Sequence, residues 1–224
     1  MFIYNLTKRS MWIRRALHNM VSAVEGLSAS SFKDASDIAL VRQVNREVEF
    51  WLTTDEALML LSLARVQASL PGEMAELGVY QAGSARLIGE VKGDIALHLF
   101  DTFAGLPDPM HHDAGMFTSG TFQSSLPQVQ AYLQRIPNTH YYPGLFPQTS
   151  DPVADRKFSF VFLDADLYQS IFDGILFFYP RLVPGGVIAI HDGQLPGVRK
   201  AIQDQGFAGQ VISGADSLRI ILKR

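Results

Sequence analysis

Two short runs of bulky apolar residues end on clusters of ionisable groups, and they constrain the fold more than any other feature. The first is Phe158-Ser-Phe-Val-Phe-Leu-Asp164-Ala-Asp166, and the second is Gly186-Val-Ile-Ala-Ile-His191-Asp192. Strands that are apolar at nearly every position are buried on both faces, as in parallel sheets covered by helices on each side. In such open sheets, ligands bind outside the carboxyl ends of the strands. The pattern therefore brings Asp164, Asp166, His191 and Asp192 to one sheet edge, where an active site belongs.

The rest of the chain keeps the same rhythm. Thr53-Thr-Asp-Glu56 has capping-box spacing and starts a helix that Pro71-Gly72 stops. Strands are expected over residues 74–80, 95–101, 139–142, 158–164 and 187–191, with helices over 85–91, 128–136, 170–182 and 198–203. Residues 210–213 and 218–222 flank Gly214-Ala215-Asp216-Ser217 and read as a closing hairpin. The expectation is an α/β fold, with a Rossmann-like, doubly wound, mostly parallel seven-stranded sheet and a C-terminal antiparallel hairpin. Residues 106–123 break the rhythm with two prolines, two glycines and the pair His111-His112, and are read as a lid over a site.

A chain of 224 residues has room for one sizeable domain and a small appendage. The division expected is an N-terminal helical segment, 1–52, acting as a lid or dimer contact, and a cofactor-binding domain, 53–224. The net charge of −3 lacks the basic footprint of a nucleic-acid binder. With no cysteine, a disulfide framework, thiolate metal ligands and a Cys nucleophile are excluded, which fits a cytoplasmic protein. No apolar run approaches the roughly 18 residues of a transmembrane segment. Residues 1–24 carry Lys8, Arg9, Arg14 and Arg15 and no acid, among Phe2, Ile3, Leu6, Met11, Trp12, Ile13 and Leu17. This reads as an amphipathic helix packed on the domain, on the substrate mouth, or against a second copy in a homodimer. A membrane-surface helix or transit peptide is the other reading.

The first strand runs into Glu76-Leu-Gly78-Val-Tyr80-Gln-Ala-Gly83-Ser84 and then a helix. Glycines there allow close approach of backbone and ligand, and the helix N-terminus adds a positive dipole end. The next strand ends at Asp101, the place for a carboxylate that binds both ribose hydroxyls. The turn is neither Gly-x-Gly-x-x-Gly nor a P-loop, which disfavours a nicotinamide dinucleotide and a nucleoside triphosphate. S-adenosylmethionine fits best, with its adenosine at Asp101 and its ammonium near Glu76. Tyr80, Ser84, Thr102 and Asp164 are grouped with Glu76, Gly78, Gly83 and Asp101 as cofactor contacts.

Taken in order, five segments resemble the macrocin O-methyltransferase family. They are Glu-Leu-Gly-Val-Tyr-Gln-Ala-Gly-Ser (76–84), Phe-Asp-Thr-Phe-Ala-Gly-Leu-Pro (100–107), Pro-Gly-Leu-Phe-Pro-Gln-Thr (143–149), Leu-Asp-Ala-Asp-Leu-Tyr-Gln-Ser (163–170) and Tyr-Pro-Arg-Leu-Val-Pro-Gly-Gly (179–186). The resemblance implies an S-adenosylmethionine-dependent O-methyltransferase acting on a hydroxyl of a small molecule, a sugar or another secondary metabolite. It further implies a divalent cation, usually magnesium, on Asp164 and Asp192, with Asp166 as general base. His191 departs from the family's Asp-Asp, and Gln81-Ala82 from its Arg-Gly. Imidazole suits manganese and softer metals better than magnesium, so Asp164, His191 and Asp192 are the candidate metal set, with manganese as an alternative to magnesium; the other readings are that His191 supports the ligands or acts in catalysis, or that the site holds no metal. Asp164 and Asp166 also admit a plainer role as N-caps of the following helix. The competing functions are a non-catalytic cofactor-binding module on the same fold and an NAD-dependent oxidoreductase.

Overall fold

The structure is a computed structural model that describes residues 11–29, 33–113, 115 and 117–224. Phe2, Ile3, Leu6, Lys8 and Arg9 of the basic N-terminal segment lie outside the described residues. Three helices lead in: α1 (Met11–Ala29), α2 (Ala35–Glu47) and α3 (Thr54–Gln67). Then follow β1 (Glu73–Leu77), α4 (Gly83–Val91), β2 (Leu97–Asp101), α5 (Leu126–Tyr132), β3 (Thr139–Pro143) and β4 (Phe158–Leu163). The chain closes with α6 (Tyr168–Phe178), β5 (Leu182–Ile190), α7 (Pro196–Asp204), β6 (Ile212–Ser213) and β7 (Arg219–Leu222).

The seven strands form one sheet in the order β3-β2-β1-β4-β5-β7-β6. Strands β1 to β5 are parallel, while β7 runs antiparallel to β5 and to β6. The direction of winding reverses between β1 and β4, and a crevice opens at such a switch point. The fold class expected from the alternation of strand and helix is the one observed.

Side-chain alternation sorts the sheet into two layers. Met74, Leu97, Leu99, Phe160, Phe162, Val187 and Ala189 share one core with Ile38, Val41 and Val44 of α2 and Leu58, Leu61 and Ala64 of α3. Ala75, Leu77, Phe100, Val161, Leu163, Ile188 and Ile190 share the other with α6 and α7. Phe158 breaks the period-two rule and joins the second layer, because the register of β4 shifts between Phe158 and Phe160. A Cβ on Gly72 would lie 2.5 Å from the Ser159 nitrogen, so the shifted segment needs a glycine beside it.

The strands are shorter at the site end than the apolar runs suggest. β1 stops at Leu77 rather than residue 80, because Gly78 turns to φ +89. Helix α6 starts at Tyr168, and its end runs into the 3-10 turn Tyr179–Arg181 holding Pro180. Helix α1 is pinned to the start of α3 by a bond from the Thr54 hydroxyl to the Ser22 carbonyl (2.8 Å). Its opposite face leaves Trp12, Met20 and Val24 exposed. No helix among the described residues is long and apolar enough to cross a membrane.

One buried cation holds the underside of the sheet together. Lys92, almost fully buried, donates from Nζ to the carbonyls of Gly93 (3.1 Å), Ile95 (2.6 Å) and Pro137 (2.6 Å). Lys92→Met would leave those carbonyls to find other partners. Urea unfolding should show a loss of about 3 kcal/mol, the scale of stranding buried acceptors. A loss below 0.5 kcal/mol would mean that water replaces the ammonium without cost.

Candidate active site

A cavity of about 580 Å³ opens at the carboxyl ends of β1, β2, β4 and β5. Its walls include Gly78, Tyr80, Gly83, Ser84, Asp101, Thr102, Asp164, Asp166, His191 and Asp192. Of the residues expected at the site, Glu76 alone is off the wall. Five non-glycine residues of the wall, Tyr80, Phe122, Asp166, Asp192 and Asp216, have positive φ. Such conformations cost roughly 1–3 kcal/mol each and persist only where the surroundings enforce them.

On the side of β1 and β2, Asp101 is the organising group. Its Oδ2 accepts the backbone N–H groups of Val79 (2.7 Å) and Tyr80 (2.9 Å), and its Oδ1 that of Phe103 (2.7 Å). Three of about four acceptor directions of the carboxylate are therefore spent on its own backbone. These bonds hold the left-handed residues Tyr80 (φ 49) and Phe103 (φ 55). Beyond them α4 begins at Gly83, behind a left-handed Ala82 that offers no side-chain cap, so its first N–H groups have no intrahelical partner. The glycines answer to the protein itself: a Cβ at Gly78 would lie 2.0 Å from the Asp164 carbonyl oxygen, and one at Gly83 would lie 2.4 Å from the Phe50 ring. Thr102 donates to the Gly105 carbonyl (2.6 Å) and closes the next turn.

Glu76 does not sit where a ligand's ammonium would meet it. Period two along β1 places it with Met74, toward the α3–α4 layer, and it is fully buried. One carboxylate oxygen accepts the Ser84 hydroxyl, and the other has no partner among the described residues. Burial, together with the charges of Asp164 and Asp101, pushes its carboxyl well above the usual range, although the Ser84 bond opposes this.

At the ends of β4 and β5, His191 is the centre. Its backbone N–H bonds the Leu163 carbonyl (2.9 Å), which sets the ring between two carboxylates. Nδ1 lies 2.8 Å from Asp164 Oδ1 and Nε2 lies 3.3 Å from Glu56 Oε2. Burial alone would lower its pKa, but the charges of Asp164 and Asp192 and the two hydrogen bonds raise it well above the ordinary histidine value. Both nitrogens facing carboxylate oxygens means that both carry protons, and an imidazolium has no lone pair for a metal. The expected set of Asp164, His191 and Asp192 therefore does not fit magnesium or manganese as arranged. Among the described residues no group of three or more His, Asp or Glu side chains stands as a metal site.

Asp166 occupies the middle of a tight turn, in which the Leu167 N–H bonds the Ala165 carbonyl (2.5 Å). This three-residue turn and φ 56 aim the carboxyl into the cavity rather than along the next helix. Burial, then the charges of Asp192 and Asp164, push its carboxyl well above the usual range. Neither Asp164 nor Asp166 caps α6. Asp113 does so from the loop, accepting the Tyr168 N–H on Oδ1 (2.8 Å) and the Met110 N–H on Oδ2 (2.7 Å).

The loop 106–123 is stitched at its base by Leu106 N–H to Thr121 carbonyl (2.7 Å) and Gly120 N–H to Leu106 carbonyl (2.9 Å). Beyond these bonds it delivers Phe117 and Phe122 to the wall, where Phe122 meets Trp51 (6.0 Å) and Tyr80 (5.5 Å) edge-on. His111 and His112 stay off the wall. His112 lies against Tyr168, whose hydroxyl turns away to Asp204 (2.9 Å).

Sequence reasoning missed Glu56, Ser217, His18 and Trp51. Glu56 was legible only as the capping-box acid of α3, a role it does fill with Thr53. Its second role comes from tertiary packing: Oε1 accepts both the N–H (2.9 Å) and the hydroxyl (2.5 Å) of Ser217, and Oε2 faces His191. Burial would raise its pKa, but these bonds and the His191 charge hold it at about 2.

Fold and cavity together define a Rossmann-like α/β protein with a nucleoside-type loop facing an acidic pair. The chain belongs to the macrocin O-methyltransferase (TylF) family, whose model matches residues 60–213. A curated relative from Streptomyces olivaceus, the 8-demethyl-8-(2,3-dimethoxy-alpha-L-rhamnosyl)-tetracenomycin-C 4'-O-methyltransferase, is 30% identical over 151 residues, which is 60% of this chain. The chain spans 58% of that relative's length. Among solved structures, the O-methyltransferase NovP is similar with a TM-score of 0.64 at 20% identity, over 75% of this chain and 81% of that one. An O-methyltransferase from Bacillus cereus, solved in complex with SAH, is similar with a TM-score of 0.58 at 14% identity, over 92% of this chain and 100% of that one.

The buried acid has a testable pH signature. Glu56 ionises at about 2 in the folded protein against 4.5 when free, a depressed value. Its contribution is therefore complete above pH 4.5 and is lost as pH falls toward 2. The stability gap between the wild type and Glu56→Gln, measured by urea unfolding, should shrink by roughly 2 kcal/mol between pH 6 and pH 3, at about 1.36 kcal/mol per unit. A gap that stays constant would mean that Glu56 is not ionised against His191.

Proposed function

We propose that this chain transfers a methyl group from S-adenosylmethionine to a hydroxyl oxygen of a small hydroxylated molecule. The observation that carries the reading is Asp166, turned into the same cavity that holds the Asp101-clamped loop and the open start of α4, in a chain of an O-methyltransferase family. The cofactor's residues fit on physical grounds. The cavity is large enough for a nucleoside with an amino-acid arm, and α4 starts on its wall, at Gly83 and Ser84, with no side-chain cap. Gly78, Tyr80, Gly83, Ser84, Asp101 and Thr102 would hold it, with the fourth acceptor direction of Asp101 left for a ribose hydroxyl. When bound, the cofactor supplies an electrophilic methyl group.

The chain's own residues supply alignment and a base. Displacement at a methyl carbon depends mainly on holding the nucleophile in line, and a walled cavity does that. A hydroxyl is a poor nucleophile until its proton moves. Asp166 takes that proton at its carboxylate, and a carboxyl whose pKa is pushed up by burial and by Asp192 is a stronger base than an ordinary one. His191, bracketed by Asp164 and Glu56, keeps a positive charge beside the reacting end without a divalent cation. The acceptor class follows the relative above, whose printed name places its methyl group on a rhamnosyl hydroxyl. A non-catalytic module is disfavoured because a strained turn is spent on aiming Asp166 into open space.

Asp166→Asn should lower kcat by 10²- to 10⁴-fold, the range of a lost general base, with S-adenosylhomocysteine affinity within about twofold of wild type. Turnover is read as S-adenosylhomocysteine released in the presence of rhamnosylated and phenolic acceptors, and affinity by calorimetry. Wild-type turnover in the variant would remove Asp166 from the mechanism. Absence of S-adenosylhomocysteine binding by the wild type would remove the methyl transfer itself.

A further inference from the structure

Helix α1 reverses the usual polarity of a surface helix, which turns an apolar stripe to the core and its charges to water. The side of α1 that faces the domain is the polar one. The Thr54 hydroxyl donates to the Ser22 carbonyl (2.8 Å), the Arg42 guanidinium to the Gly26 carbonyl (3.1 Å) and the Asp55 N–H to Glu25 (3.2 Å). Arg15 pairs with Glu49 (3.3 Å). The outward side is apolar: Trp12, Ile13, Ala16, Met20, Ala23 and Val24 are all exposed, Trp12 by 78%, Met20 by 60% and Val24 by 63%.

The spacing of the outward residues selects a helix as their cover. Ile13, Ala16, Met20 and Ala23 recur at alternating steps of three and four, the heptad seam along which one helix packs on another. The two alanines keep the seam shallow, so a facing helix can come close. Trp12, Ile13, Met20 and Val24 alone present roughly 500 Å² of apolar surface, at the upper end of what a monomer leaves bare. Two such faces laid together bury about 1,000 Å², the size at which a specific interface begins.

Charge singles out a second copy of the chain. A two-fold interface joins the same patch of both chains, so the patch must be complementary to itself. The outward residues carry no charge, and neither do Asn19, Val21 and Ser28, which are exposed beside them, so two copies meet without like-charge contact. A helix lying in a membrane surface would border its apolar face with Lys and Arg. We propose that α1 is the dimer seam of this protein, the outward faces of two copies packing helix against helix. His18, on the inward side of the same helix, lines the cavity, so the seam stands directly behind one cavity wall. This pairing is independent of the reaction that the cavity performs.

Sedimentation equilibrium of the full chain, over about 1–100 μM, tests the pairing. The wild type should reach twice the chain mass at the upper end. Met20→Glu, and separately Val24→Glu, should raise the dimer dissociation constant at least ~100-fold, because two-fold symmetry buries each new charge twice. Both side chains are exposed in the single chain, so circular dichroism should match the wild type and exclude a fold defect. Val66→Glu, at an equally exposed apolar position on α3, should leave the dimer intact. A dimer untouched by both α1 substitutions, or weakened equally by Val66→Glu, overturns the proposal, since its interface would lie elsewhere. Wild type that stays monomeric throughout also overturns it. Binding of that monomer to anionic vesicles would then assign the face to a membrane surface.

Discussion

The bridge Glu56–His191–Asp164 is the interaction on which the site depends. It joins the first turn of α3 to the ends of β4 and β5, and through Ser217 to the turn before β7. Two buried ionisable groups in contact with a half-buried third would be expensive if any one lost its partner, because an uncompensated buried charge costs several kcal/mol. Here each has a partner, and Glu56 has four donors around its two oxygens. The arrangement fixes the rim of the cavity while keeping a positive ring beside Asp164 and Asp192.

A second clamp shapes the other half of the cavity. Asp101 spends most of its acceptor capacity on the loop after β1 and on Phe103, so the positive-φ residues there are held by electrostatics rather than by glycine alone. The two glycines of the loop are required by Asp164 and Phe50, which press against them. Cofactor loop and acid pair are thus one mechanical unit: Gly78 touches the residue that begins the β4 turn carrying Asp166.

The sheet and the edge at which its carboxylates gather were legible in the sequence, because two-sided burial writes itself as an unbroken apolar run. Phe160 to Leu163 and Val187 to Ile190 needed no tertiary information. The same logic, applied one residue at a time, would have moved Glu76: it shares its face of β1 with Met74, and that face looks at α4. Other parts were not legible because they are contacts between distant segments. Asp113 caps a helix that begins 55 residues later. Glu56 meets a histidine 135 residues away while its local spacing announces only a cap. His18 and Trp51 reach the cavity through helix packing that carries no local pattern. Whether a histidine at the end of β5 ligates a metal or carries a proton depends on what faces both its nitrogens, which spacing does not record.

The central claim is that Asp166 deprotonates the acceptor beside a protonated His191, with no divalent cation in the step. The most direct measurement is S-adenosylhomocysteine release from S-adenosylmethionine with a hydroxylated acceptor that is turned over, in protein dialysed against EDTA and then supplied with magnesium or manganese. The account predicts the same rate in EDTA as with either metal. A rate abolished by EDTA and restored by one of the ions would contradict it, and would mean that His191 gives up its carboxylate partners to make room for a metal.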